Sequence, residues 1–217
     1  MRMITILFVG VLLLACGDDD GSGPGSSCAP GELLSGAVLP DAEGWATVTN
    51  LAGAPDVTTD GATVRVDSLT DSASNPVVLL TQDTGLEQGD AFSLQWELAV
   101  NDADPHNSFD SGAAVLPSYE GTAFFGTPDE RAQMIYFDTD EIGWADESQA
   151  FALDTTMWHT YRLDVEANGD ATLSVDGTAR LSRMDLVVSG PIAFGDQTND
   201  ANVDGDFQIS DIELICP

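Results

Sequence analysis

The sequence predicts an all-β protein, a two-sheet antiparallel sandwich of about a dozen short strands. Three observations carry this expectation. Apolar residues recur at every second position in short runs, as on strands with one face in a core. Two dipeptides that tolerate positive φ, Asn168-Gly169 and Asp176-Gly177, sit between such runs. From residue 36 onward, no segment carries an apolar stripe at helical spacing.

Along the chain, strands are expected at 45–49, 63–67 and 76–81. The clearest run follows in "AFSLQWELAV", where Phe92, Leu94, Trp96, Leu98 and Val100 share one face and Ser93, Gln95 and Glu97 the other. Further strands are expected at 132–138, 186–194 and 207–215. Between them, "YRLDVEANGDATLSVDGTARL" reads as two successive hairpins with tight two-residue turns. Tyr161, Leu163 and Val165 point one way there, and Arg162, Asp164 and Glu166 the other. Pro105, Pro117 and Pro128 fall in connecting loops, where a missing N–H is harmless. The strands are expected to be polar on their outer faces. No internal repeat is present.

The first sixteen residues, "MRMITILFVGVLLLAC", stand apart from this body. A basic start, a short apolar stretch and a small residue before Cys16 are the grammar of a signal peptide, too short to span a bilayer. The "LLAC" ending resembles the lipobox of bacterial lipoproteins, with Leu14 where a smaller residue is commoner. The resemblance implies cleavage after residue 15 and lipid on Cys16. The acidic, Gly/Ser-rich stretch to residue 27 reads as a tether, reaching about 18 Å on average as a flexible coil. Gly17, rather than Asp, follows Cys16. By the sorting rule of the best-known diderm bacteria, that points away from inner-membrane retention and toward the outer membrane. The folded domain is then 28–217. Cys28 and Cys216 open and close it, and an extracytoplasmic compartment permits a disulfide between them, worth on the order of 4–5 kcal/mol through loop closure.

Charge excludes some partners. Six Arg and no Lys face 37 acidic residues, for a net charge of −31. Such a surface repels nucleic acid and anionic headgroups, so no nucleic acid is expected, and membrane contact comes through the lipid anchor only.

"WHTYRLDVEANGDATLSVDGT", followed by "GPIAFGDQTNDANVDGDFQISDIEL", resembles the C-terminal half of concanavalin A-like, laminin-G-type jelly rolls, and "GDAFSLQWELAV" an early core strand of the same fold. The resemblance covers roughly residues 30 to 217 and implies a jelly-roll sandwich. It leaves function open, because lectins, adhesion modules, glycanases and accessory domains share that fold.

Candidate chemistry is sparse. Laminarinase-type relatives carry Glu-x-Asp-x-x-Glu on one strand, whereas Glu97 with Asp102 and Glu141 with Asp146 are incomplete fragments of that pattern. His106 and His159 read as structural, and no catalytic residue is expected. A sugar-binding surface needs aromatic platforms beside polar groups. Trp144, within "DEIGWADES", is the candidate for a loop-borne platform. Trp158, out of phase with Tyr161, is expected on an outer sheet face beside Arg162. "DANVDGDFQISD" matches an EF-hand calcium loop in part, but its flanks read as strands. An extended 206–211 segment spans about 16 Å, which keeps Asp211 out of a shell of ligands at roughly 2.4 Å. A smaller site remains, in which Asp196, Asp200, Asn202, Asp204 and backbone carbonyls gather one Ca2+. The alternative is a solvated Asp-rich turn. The expected function is a lipid-anchored, extracytoplasmic, non-catalytic binding module for glycan or a cell-surface protein. The alternatives are a structural or accessory envelope protein and a divergent glycan hydrolase.

Overall fold

The computed structural model describes residues 27–120, 126–200 and 202–217, with Ser72 by its backbone alone. The expected signal peptide, Cys16 and the tether as far as residue 26 lie outside the described residues. In chain order the strands are β1 (Gly31–Leu34), β2 (Ala46–Thr49), β3 (Asp56–Thr59), β4 (Val64–Asp67), β5 (Val78–Leu86), β6 (Phe92–Ala103), β7 (Ala114–Leu116) and β8 (Ile135–Phe137). They continue with β9 (Glu141–Trp144), β10 (Ala150–Ala152), β11 (His159–Val165), β12 (Ala171–Val175), β13 (Thr178–Arg183), β14 (Gly190–Asp196) and β15 (Gly205–Ile215). One sheet runs β13-β12-β11-β6-β15-β4-β3, with β1 added on β15. The other runs β10-β9-β8-β7-β14-β5-β2. All pairings within the strands are antiparallel. The two-sheet sandwich is the predicted one.

Alternation builds the space between the sheets. Phe92, Leu94, Trp96, Leu98 and Val100 of β6 are all buried, as are Tyr161, Leu163 and Val165 of β11 opposite them. Trp96 stacks on Tyr161 at 5.7 Å, and Phe137 from the other sheet meets Tyr161 edge-on at 5.2 Å. Each such aromatic pair adds about 0.5–1.5 kcal/mol beyond its buried area.

Two local expectations change, and one turn forms as expected. Asp176 and Gly177 both take positive φ, 49° and 74°, and form the expected two-residue turn between paired Val175 and Thr178. At Asn168-Gly169, however, only Gly169 is left-handed, and the connection runs from Val165 to Ala171 as a longer loop closed by Glu166 N–H on Asp170 O. A one-turn helix, α1 (Pro128–Ala132), follows Thr127, which caps it reciprocally with Glu130. A single turn has too few positions to show a helical stripe.

The outer faces are also unlike one another. The β6-centred sheet is polar outside, as expected. The other sheet carries Leu79, Ala114, Leu116 and Ala193 on its outer face, packed with Tyr119, Met134 and Ala145 into a second apolar cluster. Tyr119 N–H bonds Pro191 O, and Gln133 brackets Val187 with two hydrogen bonds, which lays Tyr119 and the stretch around Gln133 over that face.

Cys28 and Cys216 form a disulfide with Cα atoms 5.9 Å apart, at adjacent ends of paired β1 and β15. Ser27, the last residue of the expected tether, docks on Asp90 through its N–H and hydroxyl.

Candidate functional site

The polar outer face of the β6-centred sheet holds the open groove. β6 and β11 pair with Thr160 opposite Glu97 and Arg162 opposite Gln95. On the other side of β6, β15 keeps register up to Ser210–Glu97 and then slips, so that Glu213 faces Gln95. This bulge sets Asp211 in a left-handed conformation, φ 51°, and leaves its side chain exposed beside Glu97. The β3–β4 turn forms the far wall. Asp60 Oδ1 accepts from the N–H groups of Ala62 and Thr63 at 2.9 and 2.8 Å, bonds that hold the Asp60 carboxyl below its ordinary range.

Trp158 closes the groove. It ends a turn pinned at several points: Thr155 N–H bonds Thr139 O, Val100 N–H bonds Thr155 O, and Thr156 hydroxyl donates to Asp154. His159 then fixes the entry into β11, with Nδ1 at 2.7 Å from Asp176 and Nε2 at 3.0 Å from Asp154 O. The His159 contact holds the Asp176 carboxyl low. Trp158 is 42% exposed, unusual for a residue of its size in a well-packed domain. Together with Ala62, Thr63, Glu97, Ser210 and Asp211 it lines a groove of about 310 Å³.

The other residues expected to bind ligand separate from Trp158. Trp144 is a correction: it is fully buried on β9, in alternation with Ile142, and its Nε1–H donates to Ser182 O. The flanking acids that suggested a loop have partners of their own, Glu141 accepting from Tyr136 hydroxyl and Asp146 pairing with Arg183 at 2.9 Å. Arg162 shares the outer face with Trp158, yet it lines a different depression, near Ile215 and Cys216. Its guanidinium is engaged by Asp164 and Ser93, both at 2.8 Å. His106 is structural, stacked on Tyr136 at 3.6 Å and bonded to Asp138.

The four expected metal-site residues divide into two pairs. Asp200 and Asn202 form the exposed tip of the β14–β15 connection and satisfy one another, with Asn202 N–H and Nδ2 both on Asp200 Oδ1. Asp196 and Asp204, at the two roots of that connection, are fully buried. Asp196 Oδ1 accepts from Thr198 N–H, while Asp196 Oδ2 and both oxygens of Asp204 have no hydrogen-bond partner. Burial, foremost, lifts the Asp196 carboxyl well above the carboxylate range, and burial together with the Asp104 charge pushes Asp204 up to about 6. Among the described residues no three His, Cys, Asp or Glu side chains gather as a ready metal set. The four expected residues thus lie in two different surroundings, Asp200 with Asn202 at the tip and Asp196 with Asp204 buried at the roots.

Glu97, Ser210 and Asp211 were not legible as groove residues. In the sequence Glu97 reads as an outward-facing residue in an incomplete hydrolase pattern and Asp211 as a residue kept out of a calcium shell, and their meeting with Trp158 depends on a strand register and a bulge. No protein-family model matches the chain, and no curated protein matches its sequence. Solved structures match the fold. A sialidase aligns over 87% of this chain and 18% of its own, at 10% identity and a TM-score of 0.57. A carbohydrate esterase from the Shiga toxin-encoding bacteriophage phi24B aligns over 87% of this chain and all of its own, at 15% identity and a TM-score of 0.54. Botulinum neurotoxin type C, whose cell entry depends on interaction with two ganglioside molecules, aligns over 86% of this chain and 47% of its own, at 11% identity and a TM-score of 0.50. The chain thus spans well under two thirds of the sialidase and the neurotoxin. These likenesses show the fold alone, a two-sheet antiparallel sandwich of the concanavalin A-like kind.

Proposed function

We propose that this protein is an extracytoplasmic binding module, tethered through a lipidated Cys16, that takes carbohydrate in the Trp158 groove. One observation carries the reading: a large, exposed aromatic face held rigidly beside a hydroxyl and two carboxylates in one depression. A flat indole suits the apolar face of a sugar ring, and Ser210, Glu97 and Asp211 supply hydrogen-bonding groups for its hydroxyls. The ligand class is neutral sugars or amino sugars. Two carboxylates in the groove and a net charge of −31 repel sialylated or sulfated glycans. The disulfide supports an oxidising compartment, and outer-membrane anchoring rests on the lipobox-like "LLAC" and Gly17. No helix among the described residues is long and apolar enough to cross a membrane.

A second reading has its own support, since two carboxylates at one groove are the minimum for glycoside hydrolysis. The fragments at Glu141 and Asp146 do not strengthen it, being bonded to Tyr136 and Arg183. Glycan-array binding by the soluble domain, with reducing-end release measured on every captured glycan, separates the two. Binding of neutral or amino glycans without release, lost at least tenfold in Trp158→Ala, is the expected result. Release that disappears in Glu97→Gln would make it an enzyme. Binding that survives Trp158→Ala would remove the groove from the reading.

A further inference from the structure

We propose that Asp196 and Asp204 together bind one divalent cation of the calcium class, and that this ion fastens the two roots of the β14–β15 connection to the neighbouring turns. The site is distinct from the Trp158 groove and does not rest on the glycan reading.

The argument begins with unmet bonding capacity. A carboxylate taken out of water needs donors or a counter-charge, and buried polar atoms nearly always have one. Here three buried oxygens, Asp196 Oδ2 and Asp204 Oδ1 and Oδ2, make no hydrogen bond of good geometry, and the Ser68 hydroxyl is the donor group that lies against the Asp196 carboxyl. Asp196 and Asp204 lie close enough to interact directly, and Asp104 adds a third negative charge near Asp204. The five arginines among the described residues are directed elsewhere: Arg65, Arg131, Arg162 and Arg183 pair with other aspartates, and Arg180 lies over Phe151. A proton shared between the two carboxyl groups would bridge two oxygens and leave the third without a donor, because the neighbouring Ser68 hydroxyl is directed to Gly205 O at 3.1 Å. A metal ion answers all three.

The surroundings are built to hold the two carboxylates in place. Asp104 N–H bonds Asp204 O at 2.9 Å, and Ser68 hydroxyl accepts from Gly205 N–H at 2.8 Å and also lies against the Asp196 carboxyl. Gly112 packs so closely on this stretch that a Cβ there would stand 2.2 Å from Asp204 C, and a Cβ on Gly205 would stand 2.5 Å from Gly112 O. Only glycine at both positions lets the backbones meet. Such fixity is uncommon around an unmatched pair of like charges, which would otherwise push apart.

Oxygen-only donors exclude a soft metal. Calcium accepts six to eight oxygens in irregular arrangements, drawing on backbone carbonyls and water beyond the two carboxylates, whereas magnesium demands a near-ideal octahedron and gives up its waters reluctantly.

The test is equilibrium dialysis of calcium against the intact domain at fixed ionic strength, since the acidic surface attracts cations diffusely. The parent should take up one saturable calcium per chain, with affinity falling at least tenfold in Asp196→Asn and in Asp204→Asn. The tip variant Asp200→Asn with Asn202→Ala should stay within about threefold, because an exposed charge acts on the site only through screening solvent. Calcium should also raise the melting temperature of the parent more than magnesium does. Absence of a saturable site in the parent overturns the proposal, whether or not a variant folds. So does calcium binding that is retained in both root variants, or one that is lost with the tip.

Discussion

Asp204 and Asp206 stand two residues apart at the start of β15, and their surroundings answer the same electrostatic problem in opposite ways. Asp206 accepts a two-pronged pair of hydrogen bonds from Arg65, at 2.7 and 2.8 Å, and a third from Asn101. The same guanidinium reaches Asp67 at 2.8 Å, and Asp67 also takes Thr70 N–H and hydroxyl. The acidic neighbours raise the Arg65 pKa, as expected for a cation between two carboxylates. Asp204 has none of this. It faces Asp196 with its carboxyl oxygens unmatched. The chain brings its own cation to one cluster and none to the other. In a protein with six basic residues and 37 acidic ones, arginine is scarce, and its placement shows which carboxylates the fold neutralises internally.

The largest expected effect comes from breaking the satisfied cluster. Arg65→Met should lower stability by about 2–3 kcal/mol, somewhat under the figure for a fully buried pair because the Arg65 side chain is 40% exposed. Urea midpoints measure it, and a loss under about half a kcal/mol would mean that Asp67 and Asp206 are relieved by water. A paired substitution sharpens the contrast. In chelator, Asp206→Asn should cost about 1 kcal/mol through lost charge-assisted bonds, whereas Asp204→Asn should gain about as much by removing a buried, unmatched charge. The same sign in both variants would show the two sites to be alike.

The smallest effect concerns a third solution, a partner that is charged only at low pH. His106 bonds Asp138 at 2.9 Å, and that contact raises its pKa above the usual 6.5. A raised histidine pKa stabilises fully below the unfolded value and loses its contribution as pH climbs through the folded one. Stability should therefore decline modestly as pH rises from about 6 through the shifted His106 pKa. His106→Asn should flatten that part of the profile, and an unflattened profile would assign the decline to other groups.

The difference between the two clusters was not visible in the sequence. Asp204 and Asp206 look equivalent in "DANVDGD", and Arg65 is far away along the chain. Trp144 and Trp158 show the same limit. "DEIGWADES" looks solvated, yet Ile142 and Trp144 alternate inward on a four-residue strand too short to stand out between acids. Trp158 was legible because its phase against Tyr161, Leu163 and Val165 is a local property of one strand. The apolar outer face of the β14-centred sheet escaped notice because inner and outer residues there are both hydrophobic, which erases the alternation that marks a face.

What the sequence by itself determined is what short-range physics encodes: period-two burial in β6 and β11, the left-handed turn at Asp176-Gly177, and strands rather than helices on either side of the acidic loop. Two cysteines at the limits of the folded body also made their pairing readable. Only the tertiary structure decided which distant groups meet: Trp158 with Glu97 and Asp211 across a β-bulge, Arg65 with Asp206, and Asp196 with Asp204. Strand order, register and a single bulge set those meetings. They arise from the packing of two whole sheets, and no local run of residues carries them.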